Sequence, residues 1–369
     1  MTKARDNANG GATEFSELTD TTVSTADPTA SSNPASGVGH IWENKTSGEM
    51  YVCSDASAGD NIWKNVGDGS GEITGYTAPT ATGGTVTTSG IYKIHTFTSS
   101  GNFAISALGS ASPVTLEYVM VAGGASGGQD NNHASGGGGA GGYRSSVVGE
   151  SSGGGASAET VITASTTTYG IVIGAGGAGV TVPADGSAGP GNNGANTTAF
   201  GLTAIGGGAG GGASSAAGNG GSGGGSGSNG SQNGSAGSGT SGQGYAGATG
   251  STSPKAGAGG GGAGAVGGNA NGSNLCGAGG TGVSSSITGS AVFRAGGGGG
   301  AAPINDSPLQ YPGAGGAGGG TSGGMNGNLP NADANTGGGS GGITDSNTGR
   351  SSGNGGSGVV IIRYQYLAE

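Results

Sequence analysis

Glycine decides what this chain can fold into. From about Gly174 to Gly358 it forms runs such as Gly206–Gly212, Gly257–Gly264 and Gly296–Gly300, interrupted by little more than Ala and Ser. These runs have almost no side chain to bury, so the usual apolar driving force is missing. Each Gly also costs ~0.5–1 kcal/mol relative to Ala in lost backbone freedom. Such a field is either a loose tether or a body in which backbones hold one another. It lies between two apolar, β-branched runs, Tyr169–Ile173 and Val359–Tyr366.

The rest of the composition narrows the choices. The chain has 369 residues, room for two or three domains, with 98 Gly but only 11 Pro. No strict Gly-X-Y period runs through it, which excludes a collagen helix. A net charge of −10 without a basic cluster argues against nucleic acid as a partner. No run of about 18 apolar residues occurs, so no membrane insertion is expected. Residues 1–8 lack the apolar centre of a signal peptide. Two cysteines, Cys53 and Cys276, show no disulfide framework; free thiols are expected, although a single pair leaves a bridge open.

Taken in order, residues 1–36 are polar and read as an extended arm that gains order on a partner, or as a loose terminus. Residues 37–72 hold three short β-prone runs at His40–Thr46, Glu49–Ser54 and Asn61–Val66. They predict a small meander with Trp42, Tyr51, Val52 and Trp63 as its core. Further strands are expected at Thr85–Thr88, Ile91–Phe97, Gly101–Ser106, Val114–Val121, Tyr143–Val148, Glu159–Thr163 and Thr168–Ile173, with a hairpin link at Ser99–Asn102. Both faces of Ile91–Phe97 are mixed, which predicts cover on both sides. No helical period appears, so the body is all-β. Residues 73–173 together with 359–369 form a β-sandwich base. The terminal Val359–Ile362 run must be buried, and its natural partners are the strands before residue 174. The field 174–358 then leaves the sheet and returns to it, with 123–142 as an additional rod pair.

A Gly/Ser linker joins two bodies; this field leads only back to its own domain. Its Gly runs also alternate with mixed segments, as straight pieces alternate with turns. Polyproline-II-type rods offer the geometry: three residues per turn, a rise of ~3.1 Å, and N–H and C=O groups pointing sideways. Gly lets such rods approach until those groups pair. At a net ~1 kcal/mol per backbone hydrogen bond, plus weaker Cα–H···O contacts, the pairing offsets the glycine entropy. The expectation is therefore a glycine-rich bundle of polyglycine II rods, with Gly at every interior position and side chains only on peripheral rods.

Tyr118–Gly124, the Gly-rich run through Tyr143-Arg144-Ser145-Ser146 to Val148, Ala199–Gly208 and Gly356–Tyr364 look like recurring signatures of glycine-rich domains in bacteriophage virion proteins, many from marine phages. The resemblance covers about residues 85–366, and the 37–68 meander resembles modules near the N-termini of phage fibre proteins. It implies a virion structural protein of tail-fibre or adhesin type. In that reading the N-terminal arm binds other virion proteins, and inter-rod loops recognise a host cell-surface receptor, a glycan or outer-membrane component. The same resemblance allows a homotrimer, and also allows a passive structural or decoration fibre of head or tail.

Motifs for chemistry are poor. Gly174–Gly179 matches G-x-G-x-x-G after a strand, but Val180-Thr181-Val182-Pro183 does not start the helix a dinucleotide needs. His40, His95 and His133 lack ligand spacing and read as structural or surface residues. Asp68–Glu72 is too short a ligand set for a cation. No catalytic residue, cofactor or metal is expected, and a depolymerase activity is the weakest reading. The inter-rod segments are the better candidates, because rigid scaffolds present binding loops. The receptor-binding candidates are Asn131, Asn132, His133, Tyr245, Asn305, Tyr311, Asn331 and Asn347. Asn305 enters because residues 303–308 are the least Gly-rich of these loops. Solvated turns remain the alternative for each.

Overall fold

The computed structural model describes residues 20–66, 72–73, 77–109, 113–183, 185, 187–271, 275–303, 311–325, 327–346 and 349–367. The protein is all-β, and its residues divide into two compact units, one of residues 1–79 with 109–112 and 367–369, the other of residues 80–108 with 113–366.

The first unit is one five-stranded sheet in the order β1 (Thr21–Ser24), β2 (Ile41–Asn44), β3 (Glu49–Asp55), β4 (Ile62–Asn65), β5 (Glu72–Ile73). The strands β2, β3 and β4 are the three runs of the meander. β1 pairs parallel to β2, so Thr21–Ser24 is a sheet strand. Tyr51, Cys53 and Trp63 form the core, with Trp42 edge-on to Trp63 at 5.6 Å. Val52 is not part of it, a correction to the expected core: strand alternation turns it to the face opposite Tyr51 and Cys53. His40 is buried against Trp63, and its ring nitrogens lie 2.7 Å from Thr22 Oγ1 and 2.7 Å from Ser36 Oγ.

The second unit begins with β6 (Thr80–Thr82), β7 (Thr85–Ser89), β8 (Tyr92–Phe97), β9 (Gly101–Ala107) and β10 (Thr115–Val121). It continues through β11 (Gln129–Asp130), β12 (Tyr143–Ser145), β13 (Ile162–Thr163), β14 (Thr168–Ile171), β15 (Thr197–Ala199) and β16 (Leu202–Ala204). The last elements are β17 (Ser251–Thr252), β18 (Lys255–Ala256), β19 (Val283–Ser285), β20 (Val292–Arg294), β21 (Gly324–Met325), β22 (Ile343–Thr344) and β23 (Val359–Gln365). The main sheet runs β12-β10-β23-β8-β7, with β13 also on β10; a second sheet runs β14-β9-β6. β23 pairs antiparallel with both β10 and β8, which buries the terminal apolar run at the sheet centre.

The Ser99–Asn102 link is not a hairpin. β7 and β23 occupy both edges of β8, so β9 crosses to the second sheet. The two sheets meet through aromatic rings. Phe103 lies 5.0 Å from His95, 6.4 Å from Phe97 and 6.5 Å from Phe200. Phe200 begins the two-residue turn between β15 and β16 at φ 56°, a costly conformation for a bulky residue, and its ring packs edge-on against Tyr169 in this core at 5.0 Å. The other face of the main sheet carries Ile94, Val119, Val121, Tyr143, Val359 and Ile361 against Ala140, Ala263 and Ala295 from the rods.

His95 is fully buried in this core. Its Nδ1 stands 2.7 Å from the Gly83 carbonyl, so Nδ1 carries the proton, and Nε2 can accept from the Tyr364 hydroxyl at 3.3 Å. Burial holds its pKa below the ordinary value. A histidine kept neutral in the fold stabilises above its unfolded pKa. That contribution is lost as pH falls from about 6.5 through the folded value, at about 1.4 kcal/mol per pH unit. Unfolding of the wild type should therefore shift to lower temperature below pH 6.5. His95→Gln should flatten that dependence for the second unit; an unchanged pH profile would refute the assignment.

The glycine segments form rods, and their hydrogen bonds give the geometry. In the rod 135–142, successive N–H groups from Gly136 to Gly142 donate to Gly211, Ala258, Ser340, Gly208, Gly261, Gly337 and Ile205, at 2.7–3.0 Å. The partner rod repeats every third residue, as three residues per turn require. Acceptors 211, 208 and 205 descend, so that neighbour is antiparallel; 258 and 261 ascend, so that one is parallel. The carbonyls of the same rod accept from three other rods, through Gly128, Ala125 and Ala122, through Gly225 and Ser222, and through Ala301 and Gly298. Rod 135–142 thus has six rods around it. Its partner 122–128 is held in the same way, by rods that include 189–195, 206–210, 337–343 and 174–177. The pair set beside the long field in sequence is the axis of the bundle.

Interior rods are not pure Gly, a second correction. Ala125, Ser126, Ala140, Ser222, Ala258 and Ser340 are fully buried. Side chains are tolerated where a gap between rods receives them, and the serines use their hydroxyls there. Ser126 Oγ accepts from the Asn192 N–H at 2.8 Å, and Ser340 Oγ from the Gly127 N–H at 3.1 Å. At Gly137, by contrast, an added Cβ would fall inside the Gly298 carbonyl group.

Asparagines serve the outer rods. The N–H groups of Gly206, Ala209, Ser238, Thr249 and Gly179 donate to the side-chain oxygens of Asn196, Asn193, Asn219, Asn269 and Asn354, at 2.7–3.1 Å. The amide side chain supplies the carbonyl that a further rod would supply.

Candidate functional site

The rods run alternately away from the sheets and back. β10 leads into rod 122–128 and rod 135–142 returns into β12, so residues 129–135 turn at the end far from the main sheet. Bridges from Gln129 to Gly189, Ala134 to Ser228 and Ser135 to both Gly212 and Ala301 bring other rod ends to the same place. The three-stranded sheet β11-β22-β21 lies here too.

Its best-built part is the turn Asn131-Asn132-His133. Asp130, fully buried, organises it: Oδ1 accepts the N–H groups of Asn132 and His133, both at 2.8 Å. This Asx-type turn fixes the backbone beneath the polar side chains of residues 131–133. The His133 ring lies 3.3 Å from the same carboxylate oxygen, and the His133 carbonyl accepts from Thr344 Oγ1 at 2.9 Å. The Asp345 N–H donates to the Asp130 carbonyl, and its carboxylate accepts from the Gly327 N–H at 2.7 Å. Asn132 is exposed, whereas Asn131 and His133 are half-buried.

Tyr311 is at the same end, 61% exposed, and bridges in parallel to Leu275, itself 47% exposed. Cys276 is buried behind Leu275, in a cluster with Ala256 and Ala302. Burial pushes its thiol up to about 12, which holds it in the protonated form near neutral pH. Cys53 and Cys276 are both free.

The remaining candidates separate. Asn331 is exposed, but its Oδ1 accepts the Asn354 N–H at 2.9 Å, the same capping role as the other asparagines. Tyr245 is at the opposite end. Its N–H donates to Gly262, and Gln243, two residues before it, bonds Tyr143 of β12. Asn305 and Asn347 lie outside the described residues, as does Asp68 of the Asp68–Glu72 segment. Asn331→Ala should lower stability by about 1 kcal/mol through the lost hydrogen bond. Denaturant unfolding checks this; no loss of stability would remove the capping role.

Gly174–Gly179 is another rod: the Gly177 N–H donates to Gly124, and Gly355 donates back to Gly177. The backbone groups that would cradle a pyrophosphate are used between rods. Among the described residues no three His, Cys, Asp or Glu side chains stand where they could hold a metal ion.

The hydrogen-bonded rods and the closing strand β23 fall within one known sequence family: the model described as "Glycine-rich domain" matches residues 98–365. The chain belongs to this glycine-rich domain family. No curated protein matches it. In this member of the glycine-rich domain family, the residues carrying the far-end turn are Asp130, Thr344 and Asp345, none of them a candidate from sequence. The readable signal was Asp130 two and three residues before the amides it binds; the strand partners at 344–345 had none.

Proposed function

We propose that this glycine-rich domain protein is a bacteriophage virion component of tail-fibre or adhesin type, displaying its far-end loops to a host cell surface. The observation that carries the reading is the gathering of inter-rod turns at one end of a backbone-bonded bundle. A rigid scaffold lowers the ordering cost of binding. Asn131, Asn132 and His133 offer amide and imidazole groups, and Tyr311 beside Leu275 offers an apolar and stacking surface. Together these suit a polar ligand with an apolar face, such as a surface glycan. The N-terminal part then serves attachment to other virion proteins.

Particles carrying Asn132→Ala together with Tyr311→Ala should adsorb to the host at least about tenfold more slowly, as expected when anchor residues are removed. Asn331→Ala should adsorb normally, since its side chain is engaged within the bundle. Unchanged adsorption of the double variant would favour a passive structural or decoration fibre instead.

A further inference from the structure

The chain crosses between the two sheets twice at one place. Gly83 and Gly84 carry it from β6 of the second sheet to β7 of the main sheet, and residues 98–100 carry it from β8 to β9 in the other direction. The crossings lie side by side: an added Cβ at Gly83 would fall inside the Asn102 carbonyl and against the Phe97 ring. Between them is a cleft of about 330 Å³, lined by residues 83–85 and 96–102. Phe97 pairs with Val360, and Val359 with Val121. The cleft is therefore at the end of the main sheet from which the rods leave, a rod length from the far-end turn.

The walls of the cleft are fixed. The Gly83 carbonyl is held by the buried His95 ring at 2.7 Å, and Ser100 Oγ accepts the Ile173 N–H at 3.0 Å. Gly83 and Gly84 stand at φ 115° and 62°, where a side chain would be strained. The lining is polar and uncommitted. Thr85, Thr96, Thr98, Ser99 and Asn102 make no side-chain hydrogen bond among the described residues, so their groups are available to a ligand. No charged residue lines the cleft, and Phe97 is its one large apolar side chain.

These properties select a class of ligand. A charged group entering the cleft would lose water and meet no opposite charge. A purely apolar one would leave the hydroxyls and the carboxamide without partners. Hydroxyl and carboxamide groups each both donate and accept. They match a compact ligand that carries several groups of the same kind. The volume is at the lower end of the range for small-ligand sites, about 300–1,000 Å³. We propose that this cleft binds a single neutral sugar ring, a pyranose such as the end of a glycan chain. The site stands on its own geometry and does not depend on the far-end turns.

NMR titration of the isotope-labelled full chain with glucose, galactose, mannose and N-acetylglucosamine tests this. N-Acetylneuraminic acid serves as the charged comparison, and glycerol as a polyol without a ring. At least one neutral sugar should shift the amides of residues 83–85 and 96–102 saturably, with a Kd of about 1–10 mM, as suits a small open site. Gly101→Val should weaken that binding at least about tenfold by occupying the cleft. Its Cβ would meet only the Phe97 ring, at 3.9 Å, so β9 accepts it. Asn102→Ala, at an exposed position, should cost about fivefold, the effect of one lost hydrogen bond. No saturable shift with any of the four sugars would overturn the site. So would equal shifts with glycerol, tighter binding of N-acetylneuraminic acid, shifts centred on residues 131–133 instead, or undiminished binding by Gly101→Val.

Discussion

Gly137→Ala is expected to destabilise the second unit by about 3 kcal/mol or more, at the upper end of overpacking effects. Rod 135–142 has neighbours on all sides, so its backbone cannot shift without moving several rods. The new methyl group would meet the Gly298 carbonyl, which itself accepts from the Gly260 N–H. Loss of that bond would leave buried backbone groups unpaired. Gly170→Ala is the matched control: it lies in β14, where an added Cβ meets nothing within 4 Å. That change should be near neutral, or slightly stabilising through the unfolded chain. Denaturant unfolding of the two variants separates close approach from glycine content. Equal losses at both positions would show that the rods are not packed as described.

Amide exchange should be slowest in the same rod. The N–H groups of Gly136 to Gly142 are all bonded to other rods. They can exchange only when the bundle opens, so their protection should approach the global stability, about 10^4-fold or more. A linker of the same composition would exchange at the rate of an unfolded chain. Mass spectrometry of exchanging peptides spanning 122–142 measures the difference. Rapid exchange there would mean that the bundle is a loose tether, and a rigid display of the far-end turns would fail with it.

Alternating and β-branched runs locate β2, β3, β4, β8, β9, β10 and β23, because burial on a pleated sheet selects such residues. Strand partners are less readable. β9 looks like the hairpin mate of β8 because Ser99–Asn102 is a turn, yet β23, far along the chain, takes that edge. The candidate site was legible in part. Asn131 to His133 stand out as the polar break between two Gly runs, and Tyr311 as an aromatic in a loop. Asn331 looked equivalent, but its side chain is taken up in capping a rod edge. Tyr245 reads from the sequence as one more inter-rod candidate, although its rod starts at the sheet end. Which end a segment occupies depends on whether an odd or even number of rods precedes it, and uneven Gly runs hide that count.

The sequence by itself determined that the chain is all-β, that the terminal Val359–Ile362 run returns to strands formed before the long field, and that glycine segments must hold one another through main-chain groups. Each follows from local chemistry: β-branched residues seek a sheet, and residues without side chains have only amides to pair. The tertiary structure alone decided that rod 135–142 is the axis, that Asp130 sets the far-end turn, and that asparagines close the rod edges. Those roles depend on which rods become neighbours, and glycines, identical to one another, carry no side chain that could specify the pairing in advance.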